Sequence, residues 1–183
     1  MTSLANPAPL GLTGFATTTW LLSMVNAGWF DDKALGAVLV MALVYGGVAQ
    51  FMAGLMEFVT GNTFAFVAFC SYGAFWWTYA LFITYFSAGV PDAMVGWYLA
   101  AWGLFTFYMW IGTFKENMAL NAVFLTLWIT YFLLAVGEWG YSTIGIAGGY
   151  AGLVCAVCAI YGAAAFLLND VYGRTVLPVG EAR

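Results

Sequence analysis

The sequence predicts an all-α integral membrane protein of six transmembrane helices, and three observations carry that reading. Of 183 residues, 64% are hydrophobic and 7% are charged, against roughly 25% charged in a soluble domain. A soluble fold of this size would expose large apolar patches. The apolar runs are also long enough for helices of about 20 residues, the length that crosses the hydrocarbon core. They lack the short alternating strands of a β-barrel. Finally, the breaks between runs are short and polar, which leaves no room for a soluble domain.

The first apolar run follows Asn6-Pro7-Ala8-Pro9. Pro7 and Pro9 lack a donor N–H and push their predecessors towards extended geometry, but Pro9 fits a first helical turn. Helix 1 is expected from about Leu10 to Phe30. Its glycines and the run Thr17-Thr18-Thr19 suit close helix packing or a polar path better than a lipid face. No basic residue precedes it and no cleavage site follows, so it is expected to be retained and not a signal peptide.

Asp31-Asp32-Lys33 marks an aqueous turn. Helix 2 is expected over about 34–58, with Gly46, Gly47, Ala49, Ala53 and Gly54 forming a small-residue surface. Gln50 and Glu57 lie two turns apart on one of its faces. Thr60-Gly61-Asn62-Thr63 is a tight turn into an aromatic helix 3, over about 63–86. Gly89-Val90-Pro91-Asp92 breaks the chain before helix 4, about 94–114, which ends at Lys115-Glu116-Asn117. Helix 5 covers about 118–136 and closes at Gly137-Glu138-Trp139-Gly140. Helix 6, about 144–168, carries two small-xxx-small faces, Gly145 to Gly149 and Gly148 to Gly152, before a short polar tail over 169–183.

An even helix count places both termini on one side. Lys115, Arg174 and Arg183 fall on that side and only Lys33 opposite, so the termini are expected in the cytoplasm. The helices divide into pairs 1–2, 3–4 and 5–6, with helices 1, 3 and 5 parallel, although no motif recurs cleanly. The net charge of −4 is scattered, so no nucleic-acid role arises. The chain has no histidine, which removes the commonest metal ligand and proton shuttle, and no metal or cofactor is expected. Cys155 and Cys158 stand in C-x-x-C spacing without a second pair, and read as small packing residues.

Polar groups inside membrane helices are costly and therefore functional candidates. Glu57 sits near the terminus-bearing end of helix 2. It is either a helix-end charge that reaches the interface or a partner of the Asn62-Thr63 turn at a pore mouth. Gln50 lies about 10 Å deeper at 1.5 Å per residue, where lining a wet path would satisfy its amide. Thr17, Thr18, Thr19 and Asn6 could supply further neutral donors. Deep Lys or Arg is absent, which disfavours tight anion binding and leaves open passage as the protonated acid.

Five blocks in order resemble the acetate–succinate permease family of acetate uptake transporters. They are Asn6-Pro7-Ala8-Pro9-Leu10-Gly11-Leu12, Tyr45-Gly46-Gly47-Val48-Ala49-Gln50, Gly61-Asn62-Thr63-Phe64, Ser71-Tyr72-Gly73-Ala74-Phe75-Trp76, and Gly173-Arg174-Thr175-Val176-Leu177-Pro178-Val179-Gly180. The resemblance spans residues 6 to 180. It implies a homohexamer in the lipid of the cytoplasmic (inner) membrane, with a central pore in each protomer that passes acetate and similar small carboxylates. It further implies a pore constriction at Phe15, Tyr72 and Leu127, with Trp76 on the substrate path beside Asn6, Thr18, Thr19, Gln50, Glu57, Asn62 and Thr63. A hydrophobic ring of that kind blocks hydrated ions by dewetting, while Tyr72 could offer a hydroxyl to the carboxyl end.

Transport of acetate, and of succinate or other small carboxylates, as a channel or a proton-coupled permease is therefore the leading expectation. A channel for neutral amides or urea has a similar design. A membrane-embedded enzyme is disfavoured by the absence of histidine and of paired acids on one helix. A structural membrane protein without transport is the remaining alternative.

Overall fold

The computed structural model describes residues 4–180. It is a bundle of six helices: α1 (Ala8–Asn26), α2 (Asp32–Thr60), α3 (Thr63–Phe86), α4 (Asp92–Lys115), α5 (Met118–Glu138) and α6 (Ser142–Tyr172). No strand occurs among the described residues. Arg183, counted above in the charge bias, lies outside them.

Helices α2 to α6 are each long and apolar enough to cross a membrane. The sixth span, α1, does not meet that measure, and its composition gives the reason. Pro9, two glycines, four threonines, Ser23 and Asn26 dilute its apolar character. The helix tolerates them because it packs along α6 and α2 and because threonine hydroxyls bond to the helix's own carbonyls. Thr13, Thr17 and Thr18 donate to Pro9 O, Thr13 O and Gly14 O, each four residues back, at 2.7, 2.8 and 2.8 Å. Such bonds satisfy hydroxyls that lipid cannot. The helix starts at Ala8, with Pro9 in its first turn, and stops at Asn26, before Trp29 and Phe30. Gly28 then turns the chain at φ +78°, a conformation that favours glycine.

Helix α2 is continuous but not uniform. Val44–Ala49 widens to π-helical geometry at the Tyr45-Gly46-Gly47 block. This bulge meets α1 and α3 at very short range. A Cβ on Gly46 would stand 2.7 Å from Thr18 Oγ1 and 2.8 Å from Trp76 Cδ1, and one on Gly14 would stand 2.7 Å from Tyr45 O. Only hydrogen at these positions lets the α1 and α2 backbones approach so closely and leaves room for the Thr18 and Trp76 side chains. The small-xxx-small faces of α6 act likewise within the chain: Gly149 meets the backbone of Asn26 and Ala27, Gly152 meets Ser23, and Gly148 meets Leu134. Cys155 is fully buried and all three cysteines are free.

The chain beyond α6 folds back across the bundle end. Asn169 Oδ1 accepts from the Val176 and Leu177 amides at 2.7 and 3.0 Å, and its Nδ2 donates to Leu177 O at 2.9 Å. The Tyr161 hydroxyl donates to Pro178 O at 2.6 Å. Val179 O accepts from the Ala119 amide at 2.9 Å, which ties the tail to the start of α5.

Candidate functional site: two cavities that meet at Phe15 and Leu127

Alternating helix directions gather the starts of α1, α3 and α5 at one end of the bundle. A cavity of about 240 Å³ opens there. Its polar lining is Asn6, Gln50, Glu57, Asn62, Glu116 and Asn117, and its depth is closed by Phe15, Tyr72 and Leu127 with Leu12, Phe69 and Phe124. A second cavity, about 160 Å³, lies towards the other end, among Asn26, Phe82, Val95 and Glu138. It carries Thr19, Ser23, Trp76, Tyr79, Tyr98, Thr130 and Tyr131 on its walls. Phe15 and Leu127 line both cavities.

These two residues and Tyr72 are at most 4% exposed. The Phe15 and Tyr72 rings stand 5.7 Å apart, tilted by 48°. Tyr72 also lies against Phe105 and Phe124, with centroids 5.5 and 6.0 Å away. Just beyond, Phe75 meets Tyr131 edge-on at 5.4 Å. Aromatic edges and faces thus fill the middle of the bundle, an arrangement favoured by ring quadrupoles.

The Tyr72 hydroxyl does not point freely towards a permeant, as the sequence reading allowed. It donates to Thr106 Oγ1 of α4 at 2.9 Å, and Thr106 donates onward to Trp102 O at 2.8 Å. Its hydrogen is committed, and the oxygen can act only as an acceptor.

Two buried polar side chains are left for the first cavity to satisfy. Gln50 is 1% exposed and its Oε1 has no partner; Glu57 is 3% exposed and its Oε1 has none either. The Thr60 hydroxyl donates to Glu57 Oε2 at 3.2 Å. At the far side Thr19 Oγ1 and Trp76 Nε1 are likewise buried without partners. Unmade hydrogen bonds of this kind cost about 1–3 kcal/mol each in a dry site. Along a path they are open to a permeant or to water.

The candidate path residues divide between the cavities. Asn6, Gln50, Glu57 and Asn62 line the first, while Thr19 and Trp76 line the second. Thr18 and Thr63 line neither. Thr18 is fully buried against Gly46 with its hydroxyl on Gly14 O, and Thr63 opens α3 beside its cap. Sequence reading missed Glu116 and Asn117 in the first cavity, and Tyr79, Tyr98, Tyr131, Thr130 and Glu138 in the second. One signal was available. An asparagine stands at each of the three helix starts: Asn6 Oδ1 accepts from the Ala8 amide, Asn62 from Ala65 and Asn117 from Leu120, all at 3.0 Å.

Apolar spans, buried helix junctions and two opposed cavities define a multi-pass helical membrane protein. The chain belongs to the GPR1/FUN34/yaaH family, whose model matches residues 1–180. It is 46% identical over 186 residues to the succinate-acetate/proton symporter SatP of Escherichia coli (strain K12), covering 99% of this chain and 98% of that protein. It is 39% identical over 171 residues to ammonia transport outward protein 2 of Saccharomyces cerevisiae, covering 87% and 60%. Among solved structures, the bacterial acetate channel SatP superimposes with a TM-score of 0.93 at 44% identity, covering 97% of this chain and all of that one.

Proposed function

We propose that the protein transports acetate, and with it succinate or other small carboxylates, through a narrow hydrophobic path in each protomer. The observation that carries this reading is the sharing of Phe15 and Leu127 by two cavities that open towards opposite ends. Phe15, Tyr72 and Leu127 are the constriction. Asn6, Gln50, Glu57 and Asn62 on one side, and Thr19 and Trp76 on the other, hand the permeant along. A methyl group passes against aromatic rings, whereas a hydrated inorganic ion would lose its shell there without replacement. The reading as a transporter rather than an enzyme is supported by the symporter and the channel that the chain resembles.

The protein resides in the cytoplasmic (inner) membrane with both termini in the cytoplasm, a placement supported by Lys115 and Arg174 at the terminus-bearing end. It assembles as a homohexamer in which each protomer keeps its own path. A reporter fused after Arg183 should be active only in the cytoplasm, and native mass spectrometry should give six times the 19.8 kDa chain mass.

A second reading, a channel for neutral amides or urea, draws on one observation: among the described residues no Lys or Arg lines either cavity. Flux into proteoliposomes separates the two. Acetate uptake above that of protein-free vesicles, measured with and without an imposed pH gradient, supports acetate transport. Urea uptake without acetate uptake overturns it in favour of the second reading.

A further inference from the structure

Two consecutive tryptophans of α3 grip the widened turn of α2. At that turn, Val44–Ala49, the Gln50 amide reaches back to Tyr45 O, five residues away, where an α-helix would use the carbonyl four away. Widened turns are rare inside helices and occur frequently at functional sites. Gly46 and Gly47 make this stretch a poor helix former by itself, so its geometry depends on what packs around it.

Trp76 holds one glycine: a Cβ on Gly46 would stand 2.8 Å from its Cδ1. Trp77, about 100° further round α3, holds the other. A Cβ on Gly47 would strike Trp77 Nε1 and stand 2.5 Å from Ala42 O. The Trp77 indole N–H donates to Leu43 O at 3.0 Å. Leu43 is the last residue before the widened turn, and its side chain is exposed on the bundle surface. In lipid no water is at hand to replace a donor lost from that carbonyl. The Trp77 ring also lies against Phe51, with centroids 5.1 Å apart. Trp77 thus touches the chain on both sides of the turn, at Leu43 before it and at Phe51 beyond it.

What the turn places is on the proposed path. Gln50 directly follows it, buried, lining the first cavity with Oε1 unpartnered. Gln50 stands beside Gly14 of α1: a Cβ on Gly14 would lie 3.6 Å from Gln50 Cβ and 2.7 Å from Tyr45 O. Gly14 precedes Phe15, which closes that cavity. Relaxing the turn to α geometry would shift the register there by one residue, about 1.5 Å and 100°. Gln50 would then leave its place beside Gly14.

We infer that Trp77, which lines neither cavity, is a positioning residue for transport: it clamps the widened turn of α2 and through it sets Gln50 on the path. The inference rests on the acetate-transport reading above and adds a residue outside the path that governs it.

Trp77→Phe removes the N–H and keeps a ring against Phe51. It is compared with Gln50→Leu and with the double variant, as purified assembled protein and in proteoliposomes. Hydrogen–deuterium exchange of the amides over 44–50 should accelerate about tenfold in Trp77→Phe, the effect of one lost hydrogen bond on local opening. Amides over 92–112 should keep the native rate. Acetate flux should fall several-fold, and no further than in Gln50→Leu. The double variant should match Gln50→Leu, because a clamp that acts through Gln50 then has nothing left to place. Phe51→Leu withdraws the ring beside the indole and leaves the N–H in place. It should give the same pattern at reduced size, and it decides the matter if Trp77→Phe does not assemble.

Native flux in Trp77→Phe overturns the inference, whether or not exchange accelerates. So does lost flux without faster exchange over 44–50, and so does a double variant worse than Gln50→Leu. Normal flux in Gln50→Leu also overturns it, yet leaves acetate transport standing. A native protein that carries no acetate sinks the transport reading, and this inference with it.

Discussion

The Tyr72 hydroxyl donates to Thr106 Oγ1 across the α3–α4 junction at 2.9 Å. Both residues are buried, and α3 and α4 share few other backbone approaches. The bond therefore pins the Tyr72 ring against Phe15 from behind. A tyrosine that sequence reading assigns to the permeant has its polar end on the neighbouring helix and its ring towards the cavity.

Tyr72→Phe removes that bond and keeps the ring. Stability should fall by about 1 kcal/mol, the net worth of a neutral hydrogen bond, since Thr106 retains its bond to Trp102 O. Thermal unfolding in detergent measures this. Competition of acetate uptake by larger acids should be unchanged, because the size of the proposed constriction depends on the ring. A changed size preference with unchanged stability would contradict the assignment.

Phe15→Ala and Leu127→Ala remove side chains shared by the two cavities. Each should join the cavities and admit larger carboxylates, with succinate or lactate gaining relative to acetate. The cost in stability is about 3–5 kcal/mol for the phenylalanine and about 2–5 kcal/mol for the leucine, so assembly must be verified first by size-exclusion chromatography. Assembled variants that keep the native acid preference would place the constriction elsewhere.

Gln50→Leu exchanges a buried amide with an unpartnered oxygen for an apolar side chain of similar size. The fold should survive with stability equal or up to about 1 kcal/mol higher, because burying an unpaired polar group is costly. Acetate flux should fall several-fold. Normal flux would take Gln50 off the path.

Asn169→Ala cuts all three bonds that hold Val176 and Leu177. The tail should loosen from the start of α5, next to Asn117 at the cavity rim. Hydrogen–deuterium exchange over residues 170–180 should accelerate at least tenfold, as loss of about 1.4 kcal/mol of local stability would produce. Exchange at the native rate would show that Tyr161 and Ala119 suffice to hold the strap.

The membrane class and the six apolar helices were legible in the sequence because lipid imposes a simple rule. Every backbone group must be bonded within its own helix, and the helix must be long and apolar. Helix order and direction followed from the short polar breaks. The weakest span by composition, α1, was readable only because neighbouring runs fixed the frame; its threonines are satisfied by its own carbonyls. The glycines of α2 and α6 were recognisable as packing surfaces, since little else tolerates so much glycine in a helix.

Which side chains meet was decided by the tertiary structure. Sequence reading put Thr18 and Thr19 forward together as neutral donors, but a single residue rotates the side chain by about 100°. Thr18 faces the Gly46 bulge and Thr19 faces the second cavity. The bulge, Val44–Ala49, resets the helical phase between the two halves of α2; Gln50 and Glu57 both follow it, so their shared face was readable from spacing, but which neighbours that face meets was not. Asn117 and Glu116 sit more than fifty residues from their cavity partners Asn62 and Glu57 and join them only because alternating helices return to the same end. The sequence by itself determined that this chain lies in a membrane as a helical bundle with few deep charges. Close packing of glycine against its neighbours, and the return of alternating helices to the same end, decided which polar groups of different helices share a cavity.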